Sequence, residues 1–240
     1  MKEVIDDPRR DFLVKALTLG AFATTATGLV APVWAMGKIP NVIPPGKSIF
    51  DIKGKVTVND VPASLNTQIK SGDVVQTGNN SHVIFVVNKD AFILRDNSSM
   101  EISGAEIINT IRVFSGKVLS VFGQRPAAHK LSVRSATATI GIRGTGVYME
   151  VDPERTYLCT CYGVTDIVSA ADNNVSERIA ATHHDAPRYI LAKSEMGKLI
   201  HPAPMINHMD MELELIEELV GRKTPFGIAE DLYSGPRKEY

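Results

Sequence analysis

The two cysteines of the chain stand two residues apart, in Cys159-Thr160-Cys161. The surrounding residues, Tyr157, Leu158, Tyr162 and Val164, favour extended structure. In a strand, residues two apart project from the same face. Their Cα atoms would lie ~6.6 Å apart, near the upper end of the ~4.4–6.8 Å span of disulfides. Parallel Cβ vectors make closure harder still. Two thiolates that each bind one ion at ~2.3 Å sit nearly 4 Å apart, which suits side-by-side sulfurs better. A disulfide remains open, favoured by an oxidising compartment, and so do unligated thiols. The second reactive pair is His183-His184. Adjacent residues of a strand face opposite sides, so both imidazoles reach one point only from a loop or bulge. Pro187 nearby marks such a loop.

Cys159, Cys161, His183 and His184 are therefore the expected ligands of a Cys2His2 centre. Zinc takes such a set tetrahedrally. Copper and iron also accept thiolate with imidazole. An iron–sulfur cluster with two cysteines on one iron and two histidines on the other fits the donor types. Rieske motifs, however, alternate Cys and His within each segment, and this chain does not. Asp185 is the expected carboxylate behind a ligating histidine, and His201 is a substitute ligand. His82, His129 and His208 read as ordinary surface histidines.

Short β-branched runs separated by turn residues must position these groups. Such runs fall at residues 56–59, 73–77, 83–87, 91–94, 107–114, 118–122, 131–134, 146–151, 157–162, 164–168 and 189–192. Ser115-Gly116-Lys117 reads as a short hairpin loop or coil. Continuous apolar runs such as 83–87 imply strands buried on both faces. Strands about every ten residues with no intervening helix imply an all-β sandwich, roll or β-helix. Residues 207–222 place Met209, Leu213, Ile216 and Val220 on one face, with Asp210, Glu214, Glu217 and Glu218 mostly elsewhere. That is an amphipathic C-terminal helix, closed by Arg222 and Lys223 and stopped by Pro225. The Gly141, Gly144 and Gly146 pattern lacks the spacing of a nucleotide loop and precedes a strand, so it reads as a backbone corner needing positive φ.

The order of motifs resembles the FecR domain family. Gly72-Asp73 with Thr77, Val113-Phe114-Ser115-Gly116-Lys117-Val118, and Ala136-Thr137-Ala138-Thr139-Ile140-Gly141-Ile142-Arg143-Gly144-Thr145-Gly146-Val147-Tyr148 carry the likeness. It covers roughly residues 48–170. Asn88-Lys89-Asp90 stands where that family has Asp-Gly-Ser. The resemblance implies a FecR-like β-roll, β-helix or sandwich of the kind found in periplasmic regulators. Met1 to Lys15 is too short to hold a sigma factor, so only the domain carries over.

Pro8-Arg9-Arg10-Asp11-Phe12-Leu13-Val14-Lys15 resembles a twin-arginine export signal. An uncharged run follows to Trp34, and Val33-Trp34-Ala35 offers small residues for cleavage after Ala35. The alternative is an uncleaved membrane anchor. The expected organisation is a signal helix over 1–35, a Pro/Gly-rich linker over 36–47, a β domain over 48–200, and a helix with tail over 201–240. Such a chain is expected in the periplasm, folded before export, touching membrane only through an uncleaved signal.

Charge supplies no further partner. Lys and Arg total 26 against 27 Asp and Glu, a net charge of -1. That balance excludes a basic nucleic-acid surface. No nucleophile elbow, P-loop, H-E-x-x-H or paired-carboxylate motif appears. The expectation is a non-catalytic exported binding or sensing module with a metal centre, acting on an unidentified protein or small ligand. Two alternatives stand beside it: an electron-transfer protein with an iron–sulfur or other transition-metal site, and a structural partner in a cell-envelope complex.

Overall fold

The computed structural model describes residues 42–104, 109–126 and 129–226. The expected export signal, the linker up to residue 41 and the tail from 227 lie outside the described residues. The described chain is all-β with one short helix, as its alternating apolar pattern implies. Fourteen strands run β1 (Ile49–Lys53), β2 (Val56–Val58), β3 (Val61–Pro62), β4 (Val74–Thr77), β5 (His82–Val87), β6 (Asp90–Leu94) and β7 (Ser99–Ser103). They continue with β8 (Thr110–Val121), β9 (Leu131–Arg134), β10 (Ala138–Val151), β11 (Arg155–Ser169), β12 (Ser176–Ala181), β13 (Arg188–Glu195) and β14 (Lys198–Pro202). The helix α1 spans Asp210–Glu218. No helix among the described residues is long and apolar enough to cross a membrane.

One sheet contains every strand, because its three long strands each serve two sets of neighbours. Strand β8 pairs with β7 through its first half and with β6 and β10 through its second. The expected hairpin at Ser115-Gly116-Lys117 is instead the point inside β8 where partners change. No reversal occurs there because both halves find separate edges to pair with. Strand β10 pairs with β9 before Gly144 and with β8 after it. Strand β11 pairs with β13 at its start and with β12 at its end. The runs 157–162 and 164–168 are thus halves of one strand, joined at Gly163. The corner expected around Gly144 is present, at φ +58. It lies beside Gly163, at φ +87, where a Cβ would meet Gly144 O at 2.7 Å. Two glycines let the paired strands bend together without a side chain in the crease. The turn Asn88-Lys89 is a two-residue hairpin loop, with Asn88 at φ +57.

The central strands are buried on both faces. Val83, Phe85, Phe92, Leu94, Val147, Met149 and Leu158 point into the large cluster enclosed by the sheet. Their alternates, Ile84, Ala91, Ile93, Leu119, Val121, Tyr148, Tyr157, Cys159 and Cys161, form a second cluster on the opposite face. Leu213, Leu215 and Ile216 of α1, with Leu219 just after it, complete that second cluster. The helix is shorter than the expected 207–222, because Asn207 at φ +56 and the turn at Gly221 set its limits.

The acids of α1 do not keep to a solvent face. Asp210, Glu212 and Glu217 are buried, because each has a partner of opposite character. Glu212 accepts a 2.7 Å bond from Arg95, which also lies over the Tyr148 ring. Its other oxygen accepts the Met209 backbone N–H at 3.0 Å, a helix-start bond. Glu217 bonds Arg222 and the Tyr162 hydroxyl. Removing one member of a buried pair strands the other without water. Arg95→Ala is therefore expected to lower the unfolding free energy by about 3–5 kcal/mol. In denaturant titrations, Arg143→Ala should barely move the midpoint, since Arg143 and Asp166 pair on the exposed surface.

Candidate metal centre

Strand β11 delivers both sulfurs. Cys159 and Cys161 are free and fully buried, on the face covered by α1. The loop between β12 and β13 delivers His184. Its backbone N–H donates to Cys161 O at 2.9 Å, so the loop is tied to the cysteine strand. His184 sits at φ +54, a conformation a residue with a Cβ adopts only when its surroundings impose it. Asp185 folds the same loop by accepting the Thr182 N–H at 2.6 Å, the Thr182 hydroxyl at 2.8 Å and the His183 N–H at 3.2 Å. Its carboxylate therefore shapes the loop backbone rather than backing an imidazole ring.

The fourth side chain is His208, just before α1. The sequence alone reads it as a surface residue, yet it is 2% exposed. Its ring stacks on Tyr148 with centroids 4.5 Å apart. Its Nδ1 donates to Ile206 O at 2.6 Å, and its Nε2 faces His184 Nδ1 at 3.0 Å. Tyr157 steadies the same segment, donating to Pro204 O at 3.0 Å and accepting from the Ile206 N–H at 3.2 Å. Asn207 donates to Glu150 at 2.6 Å.

Cys159 Sγ lies 3.4 Å from His184 Nδ1. One ligand atom from each of Cys159, Cys161, His184 and His208 falls within 4.8 Å of every other. Tetrahedral bonds of ~2.3 Å to sulfur and ~2.0–2.1 Å to nitrogen place such atoms roughly 3.3–3.8 Å apart. The four are thus close enough to share one ion. A two-iron cluster needs its cysteine pair and histidine pair on opposite irons, across the width of the cluster. These donors are too closely grouped for that span.

Of the residues expected as ligands, three meet here and His183 does not. Its Nε2 donates to Asp210 Oδ2 at 2.8 Å, while His184 Nε2 donates to Asp210 Oδ1 at 2.9 Å. His183 is 34% exposed and lies against Phe226. Asp210 takes the role of the carboxylate behind a histidine. His201 is on β14, bonded to Lys198 O at 3.1 Å, and His129 is exposed. His82 pairs with Asp51 at 2.8 Å. The signal for His208 was its neighbour: an acid two residues on, at the start of a helix. That pattern is too common to single out from one chain.

The hydrogen-bond partners assign the imidazole tautomers. With Nδ1–H on Ile206 O and Nε2–H on Asp210, His208 and His184 turn bare nitrogens toward each other. A proton or a cation must lie between them. The protonation equilibria follow. Burial opposes charge on Cys159, but a hydrogen bond from Cys161, the charge of His208 and bonds from His184 and His208 bring its thiol well below the ordinary range. Burial and the neighbouring Cys159 push Cys161 well up. Burial would lower His184, yet its bonds to Asp210 and Cys159 raise it to about 9. Burial would raise Asp210, but the bonds from His184 and His183 hold it below the usual carboxylate value. The donors around Cys159 favour its thiolate form, and Asp210 and Cys159 favour a charged His184.

No protein-family model matches the chain, and no curated protein matches it in sequence. Its fold can be laid on two crystal structures of a candidate anti-sigma factor from Parabacteroides distasonis ATCC 8503. Each superposition has 10% identity and a TM-score of 0.44, covering 54% of this chain and 58% of that one. The chain thus spans little more than half the length of the solved structures it matches.

The linked pair fixes the pH response of the metal-free protein. A raised His184 contributes stability that is complete below its ordinary pKa near 6.5 and lost as pH rises through about 9. A lowered Cys159 contributes stability present above its ordinary pKa near 9 and lost as pH falls through its lowered value. Between pH 6.5 and 9 the two slopes oppose. The stability advantage of wild type over Cys159→Ser is expected to grow across that window, read from denaturant unfolding at stepped pH.

Proposed function

We propose that this chain is an exported, non-catalytic β module that binds one transition-metal ion through Cys159, Cys161, His184 and His208. The facing nitrogens of His184 and His208, with two buried sulfurs beside them, carry this reading. A cation would replace the bridging proton and offset the thiolate charge among four side chains buried from solvent. Two thiolates with two imidazoles suit zinc first, with cobalt, ferrous iron or copper as chemical alternatives.

Four protein ligands leave no open position for a substrate, as in structural zinc sites and unlike catalytic ones. Binding or sensing therefore fits better than catalysis. The twin-arginine-like segment around Arg9-Arg10 supports export to the periplasm after folding, with the ion acquired beforehand. The likeness of residues 48–170 to the FecR domain family supports a module that responds to a partner or ligand.

Protein purified anaerobically without a histidine tag is expected to hold about one metal ion per chain and to bind cobalt with a thiolate-to-metal absorption band. Loss of an outer carboxylate typically weakens binding about 10–100-fold, so His208→Ala, which removes a ligand, should exceed that. A Cys159–Cys161 disulfide, or reduced protein that binds no cobalt, would overturn the assignment. Iron with inorganic sulfide would favour the electron-transfer alternative instead.

A further inference from the structure

Beside the four-ligand centre lies a second convergence of donors. His183, His184 and Asp210 each offer an atom within 4.8 Å of the others. The inner four side chains are buried, whereas His183 is partly open to solvent. The two sets share one residue, His184, through different atoms. Its Nδ1 faces Cys159 and His208, and its Nε2 faces Asp210. A closed site needs a route in, and among the described residues the half-buried ring of His183 is the most open member of this array.

We infer that His183, His184 and Asp210 form an outer landing site for a divalent transition-metal ion, which passes the ion to the buried centre across the His184 ring. This inference rests on the four-ligand reading above. Two imidazoles and one carboxylate are acceptable donors for zinc, cobalt or ferrous iron. In the outer state the ion is bonded to the two Nε2 atoms and an Asp210 oxygen, with water completing its shell. His183 and His184 then each hold one proton, on Nδ1, and any proton displaced from Nε2 leaves to solvent.

Transfer inward breaks the bonds to His183, His184 Nε2 and Asp210. It forms bonds to Cys159 Sγ, Cys161 Sγ, His184 Nδ1 and His208 Nε2. The Nδ1 protons of His183 and His184, any thiol protons and the ion's water ligands leave to solvent. His183 and His184 each take a proton back on Nε2 and donate again to Asp210. The oxidation state of the ion does not change. A neutral imidazole carries one N–H, so His184 serves one site at a time. The chain therefore binds one ion, not two.

Stopped-flow mixing of reduced, metal-free full chain with cobalt(II) reads inner loading through the thiolate-to-cobalt band. A strong chelator added to the loaded protein reads release. Because a shared path serves both directions, His183→Ala is expected to slow loading and release together, by on the order of tenfold each. A merely structural His183 would instead speed release when removed. Loading of His183→Ala at the wild-type rate, or two cobalt ions per wild-type chain, would overturn the landing site while leaving the four-ligand centre intact. If wild type develops no thiolate band at all, the centre itself falls, and the landing site with it.

Discussion

A carboxylate buried at the start of a helix is tolerable only when its oxygens are taken up by donors. Both oxygens of Asp210 are taken up by imidazoles, at 2.8 and 2.9 Å. That arrangement decides several things together. It fixes the proton of His184 on Nε2 and so turns Nδ1 toward the sulfurs. It tethers the β12–β13 loop to the first residue of α1. It also sets the distance at which His208, two residues earlier, meets the cysteine strand. Site geometry and helix docking are one constraint seen from two sides.

The remaining acids of α1 extend the same logic. Buried ion pairs seldom improve on apolar packing in net stability. Glu212 with Arg95 and Glu217 with Arg222 and Tyr162 do something packing cannot: each carboxylate has its partner at one place on the β body. Sliding α1 along the sheet by a turn would orphan three buried carboxylates at once. Leu213, Leu215, Ile216 and Leu219 supply apolar contact, but leucines tolerate displacement. The polar pairs give the helix its register, and the register puts His208 within 3.0 Å of His184.

The strands were legible in the sequence because burial on both faces leaves unbroken apolar runs, as at Val83 to Val87, and because Cys159 and Cys161 follow the period of two. The junctions between strands were not. Gly116 and Gly163 look like loop residues, and only pairing with distant strands shows that the chain continues straight through them. The acids of α1 read as lying off its apolar stripe, because sequence periodicity records polarity but not partners. Arg95 lies 117 residues from Glu212, beyond the reach of any local pattern. His208 escaped for the same reason. Its 24-residue separation from His184 is closed by a β hairpin and a docked segment, not by spacing.

The four clustered cysteine and histidine side chains come from three separate stretches of chain. The large cluster inside the sheet is assembled from β1 through β13 and contains no ligand residue. The second cluster contains both cysteines, and α1 closes it. An ion binding there joins β11 and the β12–β13 loop to the segment that leads into the helix. Those first two are already held by sheet pairing and by the His184 N–H bond to Cys161 O. Residues 203–209 run outside any strand and are held by Ala203 N–H on Pro187 O, by Tyr157 and by Asn207 on Glu150. Metal affinity is folding energy for whatever part of the chain lacks structure without it. Under the proposed one-ion reading, an ion there would tie residues 203–209, which seat α1, to the two stretches already held in the sheet.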